Sequence, residues 1–388
     1  MILRRVSYKE KERILQHALM SAKPLASAKD FVGTSPAPFV GRFGYPHVNV
    51  GLLAPPQHDE NAWTYDAPRY WASSQTSMTD IACYRTRMIN SRFQSNVKNP
   101  HKYTLLAQEV AMAKTPADIE VSLKKSPQVN LTTDQYHAPM GPSAALHKLA
   151  LTSNPRIHTK VQRAFADTDL LASEAVTSLY GRVDENALSR MLSVGVFGKD
   201  RTLVPTRWSI TATDDTLAKH FLEKVRDLPI GDFRAHFGHY LGNYYLVLLF
   251  PERWRYELFE MYVKPGVLEY STDYEEFQGR KNYASQTAGG YYTVRMALAE
   301  HMTANKRQHG ALVLRFITDE YVLPLGVWVT REATRKALSN TPITFVSKEL
   351  MLTYAKKLAK QKFGIDLDPL LFQSKFLKER QHPLSAFA

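Results

Sequence analysis

The stretch "YYLVLLF", Tyr244 to Phe250, constrains the fold more than any other in the chain. Its seven consecutive apolar residues are too few to cross a bilayer, which takes about eighteen or more, and they match the length of a buried strand. The surrounding block from Phe233 to Tyr270 is rich in β-branched and aromatic residues, and "YELFEMYV" is its second clear strand. A helix from about Tyr291 to Lys306, a strand "ALVLRFI", a strand "GVWVT" and two further helices ending near Phe363 are expected after it.

Upstream, Val6, Ile14, Leu15 and Leu19 fall near helical spacing and predict an amphipathic helix over residues 6 to 20. The Gly- and Pro-punctuated stretch from Pro36 to Pro68 reads as short strands joined by turns, "HVNVGLL" among them. Helical patterns dominate from about Asp80 to Leu192. They include "SAALHKLALTS", with Ser143 as a cap behind Pro142, and "DTDLLASEAVTSLYGR". The expected class is therefore α+β, a mixed α/β fold with a helical middle section, a β-rich central block and a C-terminal α/β region. With 388 residues, 44% of them apolar, the chain can bury one large core or two ordinary ones. The last twenty-five residues lose periodicity after the "YAKKLAKQKF" helix and read as a tail leaving the body.

No stretch has the length of a membrane span, and charges follow the first three residues at once, so a cytoplasmic, nucleoid-associated protein is expected. Cys83 is the sole cysteine, which excludes an intrachain disulfide and any cysteine-cluster metal site. Fifty Lys plus Arg against thirty-seven Asp plus Glu give a formal charge of +13, which favours polyanionic partners through long-range attraction and counterion release.

Four segments carry polar chemistry. In "FVGRFGYPHVNVG", Gly41, Gly44 and Gly51 permit close approach or positive φ, and Arg42, Tyr45, His47 and Asn49 are the groups such a loop presents; a structural hairpin is the alternative. In "MTDIACYRTRMINSRF", Arg85, Arg87 and Arg92 with Asn90 offer donors suited to phosphates, unless they only solvate a helix face. In "VPTRWSITATDDT", strand alternation sets Arg207, Ser209 and Thr211 in one hydrogen-bonding row, opposite Thr206, Trp208 and Ile210. Asp214 and Asp215 follow; one caps a helix, and the other is a candidate general base or metal ligand.

The fourth segment, "HFGHYLGNYY" with "EEFQGRKNYASQTAGGYYTVR", adds His236, His239, Asn243, Arg280, Tyr283, Tyr291 and Arg295. Gly289 and Gly290 stand before a helix, a plausible anion seat. Core packing is the alternative for its tyrosines. Asp80, Asp214, Asp215 and His239 are the catalytic candidates if the chain is an enzyme acting on nucleic acid or a nucleotide, as a nuclease or nucleotide-modifying activity. A divalent metal would then be a suitable cofactor, although no metal ligands are assigned. Neither a Walker set, a dinucleotide fingerprint, a G-x-S-x-G elbow nor H-E-x-x-H is present.

The blocks "FVGRFGYPHVNVG", "YDAPRYW", "RMINSR", "GPSAALHKL", "LVPTRWSIT", "DYEEFQGRKNY", "GGYYTVR" and "PLGVWVTRE" occur in order over roughly residues 35 to 335. Together they resemble the Nre family of archaeal DNA-repair proteins. The resemblance implies a DNA-damage role with DNA as partner, and Arg69 of "YDAPRYW" joins the binding candidates. It implies a basic N-terminal arm over residues 1–28, an Nre-like N-terminal domain over 29–285, an Nre-like C-terminal domain over 286–365 and a flexible tail over 366–388. Family members commonly carry a cysteine-rich, zinc-finger-like segment before the first block; here a Lys/Arg-rich helix stands there instead.

The family often ends in a sliding-clamp motif, and this chain ends in "RQHPLSAFA". Gln381, Leu384 and Phe387 follow the Q-x-x-L-x-x-F spacing, which lets one 3₁₀-like turn project Leu384 and Phe387 into a single apolar pocket. Arg380, Lys378 and Lys375 suit an acidic rim. Ala388 stands where a second aromatic is usual. A clamp of PCNA-like or bacterial type is the expected partner.

Overall fold

The computed structural model describes residues 8–129, 139–264 and 268–378. They divide into two compact units, one formed by 8–220 with Val322–Glu332 and the other by Phe221–Tyr321 with 333–378.

The first unit runs α1 (Tyr8–Ala22), β1 (Asp30–Ser35), β2 (Ala37–Val40), β3 (His47–Ala54), α2 (Pro68–Ser73), α3 (Met78–Thr86), β4 (Ile89–Asn96), α4 (Tyr103–Met112), β5 (Ala117–Leu123), β6 (Ser143–Leu151), α5 (Thr159–Ala166), α6 (Ala172–Leu179), α7 (Glu185–Ser193) and α8 (Thr206–Val225), the last five residues of which belong to the second unit. Its sheet has the order β1-β5-β6-β4-β3-β2 and is antiparallel except at the β4–β6 pair. Alternation gives the sheet two different faces. Val48, Val50 and Leu52 of β3 and Phe93 of β4 are buried on one, where α4 and α7 pack. On the other, His47, Asn49, Arg92, Gln94 and His147 are exposed.

The second unit contains β7 (Phe233–Tyr240), β8 (Asn243–Phe250), β9 (Tyr256–Tyr262), β10 (Tyr270–Glu275), α9 (Ala288–Asn305), β11 (Gly310–Ile317), the larger part of α10 (Trp328–Ser339), β12 (Ile343–Phe345), α11 (Lys348–Phe363) and α12 (Asp368–Gln373). Its strand order is β10-β9-β11-β8-β7-β12, with β9 and β11 parallel and the other pairs antiparallel. Every residue of β8 and β11 is buried. Leu246, Leu248, Leu312, Leu314 and Phe316 meet Met351, Ala355 and Phe363 of α11 on one face. On the other, Glu260 of β9 reaches Gly290 of α9. A strand covered on both sides has no solvated face to mark with polar residues, which explains the unbroken apolar run. Each such Leu or Phe contributes about 1.5–3 kcal/mol by leaving water. The β7–β8 hairpin closes through Leu241 and Gly242, both at positive φ (48° and 74°), the geometry of a two-residue turn that follows strand twist.

The mixed class and the strands "YYLVLLF", "YELFEMYV" and "ALVLRFI" are as expected; the helix expected from about Tyr291 begins at Ala288 and takes Gly289 and Gly290 into its first turn. Four local expectations are corrected. "TRWSIT" is the start of α8, because Ser209, Thr213 and Leu217 recur at helical spacing on its buried side and Pro205 O accepts the first helical amides, those of Trp208 and Ser209. "SAALHKLAL" is β6, inserted between β5 and β4, so that pairing on both edges overrides its helix formers. "GVWVT" turns at Gly326 (φ 107°) and enters α10 at Trp328, whose Nε1–H donates to Leu325 O at 2.7 Å. "MTDIACYRTRMINSRF", whose arginines read in sequence as one helix face, is divided between α3 and β4.

The chain from residue 366, expected as a tail, is packed as far as Phe376. Leu367, Leu370 and Leu371 are buried, and Glu257 accepts from Ser374 Oγ at 2.5 Å and from the Phe376 amide at 3.0 Å. Gln381, Leu384 and Phe387 lie outside the described residues.

Candidate functional site

Hydrogen bonds distant in sequence draw three polar segments of the first unit together. The Val97 amide donates to Pro46 O at 3.0 Å, and Val97 O accepts from the Leu203 amide at 3.0 Å. These fix the end of the glycine loop against the end of β4 and the approach to α8. The Val40 amide donates to Thr206 Oγ1 at 2.9 Å and ties the start of α8 to the end of β2. Gly44, at φ 83°, turns the loop so that the His47 amide reaches Gly44 O at 2.8 Å; a side chain there would place Cβ 2.7 Å from His47 O.

Side chains stand outward on this framework. Phe43 is 65% exposed, Tyr45 58% and Trp208 50%. The Tyr45 and Trp208 rings lie 6.2 Å apart, tilted by 46°, and the Arg42 guanidinium sits 4.9 Å over the Phe43 ring. Arg207 is exposed in the first turn of α8. On the exposed sheet face Arg92 is opposite Gly51, and Asn49 is opposite Gln94. Gly51 is required by Asn90, whose Oδ1 lies 1.8 Å from where a Gly51 Cβ would stand. That oxygen is buried and has no hydrogen-bond partner among the described residues.

These hydrogen bonds join the loop that carries Arg42 and Tyr45 to the end of β4 and to the start of α8, where Arg207 stands, while Asn49 and Arg92 are exposed on the outer face of β3 and β4 and Asn90 is buried beside Gly51. Ser209 and Thr211 are buried, Ser209 beside Ser189 Oγ at 3.0 Å and Thr211 bonded to its own helix at Arg207 O. Arg69 and Arg87 are exposed on other elements. Arg87 faces Tyr65, whose hydroxyl donates to Asp59 Oδ2 at 2.6 Å; burial and the Asp59 carboxylate push that hydroxyl up to about 12.

The acidic candidates have structural partners. Asp80 forms the first turn of α3 with Ser77, its amide donating to Ser77 Oγ at 3.1 Å. Asp214 is fully buried and accepts both hydrogen bonds of Arg331 Nη1, at 2.7 and 2.9 Å. Asp215 pairs with Lys219 at 2.6 Å, one helical turn on. His239 stacks on Tyr244 at 4.4 Å between ring centroids, and burial moves it below the usual histidine range. Among the described residues no group of three or more His, Cys, Asp or Glu is placed to hold a metal ion.

The remaining candidates form a network in the second unit. Asn243 Oδ1 accepts from Arg315 Nε at 3.1 Å, and Arg315 pairs with Glu260 at 2.6 Å. Arg295 Nη1 and the Tyr291 hydroxyl both donate to Glu275 Oε2, at 2.7 and 2.6 Å. Burial and this carboxylate raise the Tyr291 hydroxyl far above the phenol range. Arg280 pairs with Asp273 at 3.0 Å and lies over the Tyr291 ring, while Tyr283 is exposed against Tyr292. The anion seat expected at Gly289 and Gly290 is taken by the chain's own carboxylates. Asp273 Oδ2 accepts the Gln286 and Thr287 amides at 3.0 and 2.7 Å, and Glu260 packs on Gly290.

Sequence reasoning missed Phe43, Gln94 and the outward placement of Trp208. The available signal was an arginine–tryptophan pair two residues after Pro205, where a helix can begin.

Residues 10–268 match the family described as archaeal Nre, N-terminal, and residues 275–387 match archaeal Nre, C-terminal. The chain belongs to the archaeal Nre family. It is 35% identical over 323 residues to a protein of Haloferax volcanii named DNA repair protein NreA, covering 79% of this chain and 77% of the relative. A protein of Archaeoglobus fulgidus named DNA repair protein NreB is 35% identical over 350 residues, 87% of this chain and 88% of its own length. A second A. fulgidus protein, named DNA repair protein NreA, is 32% identical over 340 residues, 84% of each chain. No solved structure matches the chain.

Proposed function

We propose that this protein acts in DNA repair, binding DNA or a nucleotide through the basic platform of its first unit and docking on a sliding clamp through Gln381, Leu384 and Phe387. The repair role is supported by the names of its relatives. The observation that carries the binding reading is the absence of Asp and Glu from the three joined segments 40–51, 89–102 and 202–213, which hold Arg42, Arg92, Lys98, Lys102 and Arg207. In a chain with thirty-seven acidic residues, three carboxylate-free segments tied to one another concentrate positive potential where a phosphate backbone would lie. The clamp reading rests on the spacing of the three tail residues and the cations before them.

Binding of labelled DNA across about 50 to 200 mM salt tests the first part. Wild-type protein should bind with a steep salt dependence, and replacing Arg92 and Arg207 by Gln should flatten the slope by about two contacts. Salt-independent binding, or none, overturns it. Phe387→Ala should abolish clamp binding and leave the melting temperature unchanged; unchanged clamp affinity refutes that part.

A further inference from the structure

We infer that the platform takes unpaired bases, so that single-stranded rather than duplex nucleic acid is the favoured ligand. This deepens the DNA- or nucleotide-binding reading above and rests on it.

A surface that binds only phosphates needs cations and little else, since the duplex presents its charged backbone outward and keeps its base faces stacked inside. This surface also holds Phe43, Tyr45 and Trp208 at half exposure or more. Leaving three large rings in water forfeits burial free energy, and the segments that carry them are pinned beside them, the Val97 amide donating to Pro46 O and the Val40 amide to Thr206 Oγ1. Ordered, solvent-facing aromatics among arginines are what an unstacked base can use, because every base has an apolar face whatever its sequence.

The geometry also limits how bases lie. Tyr45 and Trp208, at 6.2 Å and 46°, leave no parallel slot between them, so a base stacks on an outer ring face and is not inserted. Arg42 already lies over Phe43 at 4.9 Å, a cation set to pair with the phosphate beside a base on that ring. Asn49 and Gln94, opposite each other, and Arg92 stand exposed on the outer face of β3 and β4 and offer further donors. The small residues Gly51 and Ala145 flank Arg92 in the neighbouring strands and leave its guanidinium open to a passing backbone.

The test is fluorescence anisotropy with an oligothymidylate of about 16 nucleotides, a duplex of equal length and the full-length protein. Wild type should bind the single strand at least tenfold more tightly than the duplex. Trp208→Ala and Tyr45→Ala should each weaken single-strand binding about tenfold, weaken duplex binding far less and keep the melting temperature, and Trp208→Phe should restore most of the loss. Equal affinity for both forms with no effect of Trp208→Ala overturns the inference and leaves the DNA-binding reading standing. Absence of binding to either form, in low salt, overturns both. Retention of single-strand binding by the Tyr45 and Trp208 variants, with loss only in Arg92→Gln, assigns the preference to charge and refutes stacking.

Discussion

Acidification should destabilise the second unit through two histidines, His309 buried and His301 half-buried. His301 stands on α9 with its ring 5.1 Å from His236 and nearly perpendicular to it, and its Nε2 lies 3.2 Å from Asn305 Nδ2. His309, just before β11, is 3% exposed and packed on Gly231. Burial holds both imidazoles down at about 4, with the positive charges of Arg234 and His236 adding to the effect and Asp232 opposing it at His309. In the unfolded chain each returns to about 6.5. Above that pH both are neutral folded and unfolded, and they contribute no pH dependence. Between about 6.5 and 4 the unfolded chain binds protons that the folded chain refuses, so stability falls as pH falls and levels off below about 4. At pH 5 the difference is about 1.5 pK units per group, or about 2 kcal/mol for each histidine. Urea unfolding at pH 7 and pH 5 measures it, comparing wild type with His301→Gln/His309→Gln. The double variant should lose about 3–4 kcal/mol less than wild type between the two pH values, whatever its own stability at pH 7. Equal losses would show that the two imidazoles are not held neutral by the fold, and would refute the reasoning.

Three further outcomes follow from single contacts. Asp214→Ala strips Arg331 of a fully buried bidentate partner and should cost about 3–5 kcal/mol in urea unfolding. Phe363→Ala removes a ring stacked 4.2 Å from Phe316 in the core under α11 and should cost about 3–5 kcal/mol. Gly51→Ala drives a Cβ into Asn90 Oδ1 and should cost about 1–3 kcal/mol; adding Asn90→Ala in the same chain should recover much of the loss, as melting temperatures would show.

Where the sequence was legible, one periodicity covered the whole element. "YYLVLLF" is apolar at every position and "ALVLRFI" at all but Arg315 because both faces of β8 and β11 are covered, and that pattern admits few alternatives. "TRWSIT" misled because six residues satisfy period two and period 3.6 alike; the decision came from Leu217 and Ala218, buried further along the same helix. "SAALHKLAL" misled because strand neighbours on both sides outweigh intrinsic preference. For the site, residue types were visible in Arg42, Tyr45, Asn49 and Arg92, while their meeting was not. It depends on Val97, an apolar residue whose side chain carries no chemical signal and whose backbone groups bridge Pro46 and Leu203. Conversely Arg280, Tyr291 and Arg295 look available for a ligand in sequence, and only the fold brings Asp273 and Glu275 to them.

The composition of the units bears on how such a gene can be divided. The two family segments meet between residues 268 and 275, which falls within the β9–β10 antiparallel pair of a single sheet. A break at that point would separate paired strands. A fragment ending there would also lack Arg331, leaving Glu185 and Asp214 buried without the guanidinium that lies between them. Neither half is a free-standing cassette, so gene fission, shuffling or expression of one half alone would begin from an incompletely neutralised interior. Arg331, from the second named region, completes the charge pairing of Glu185 and Asp214 in the first.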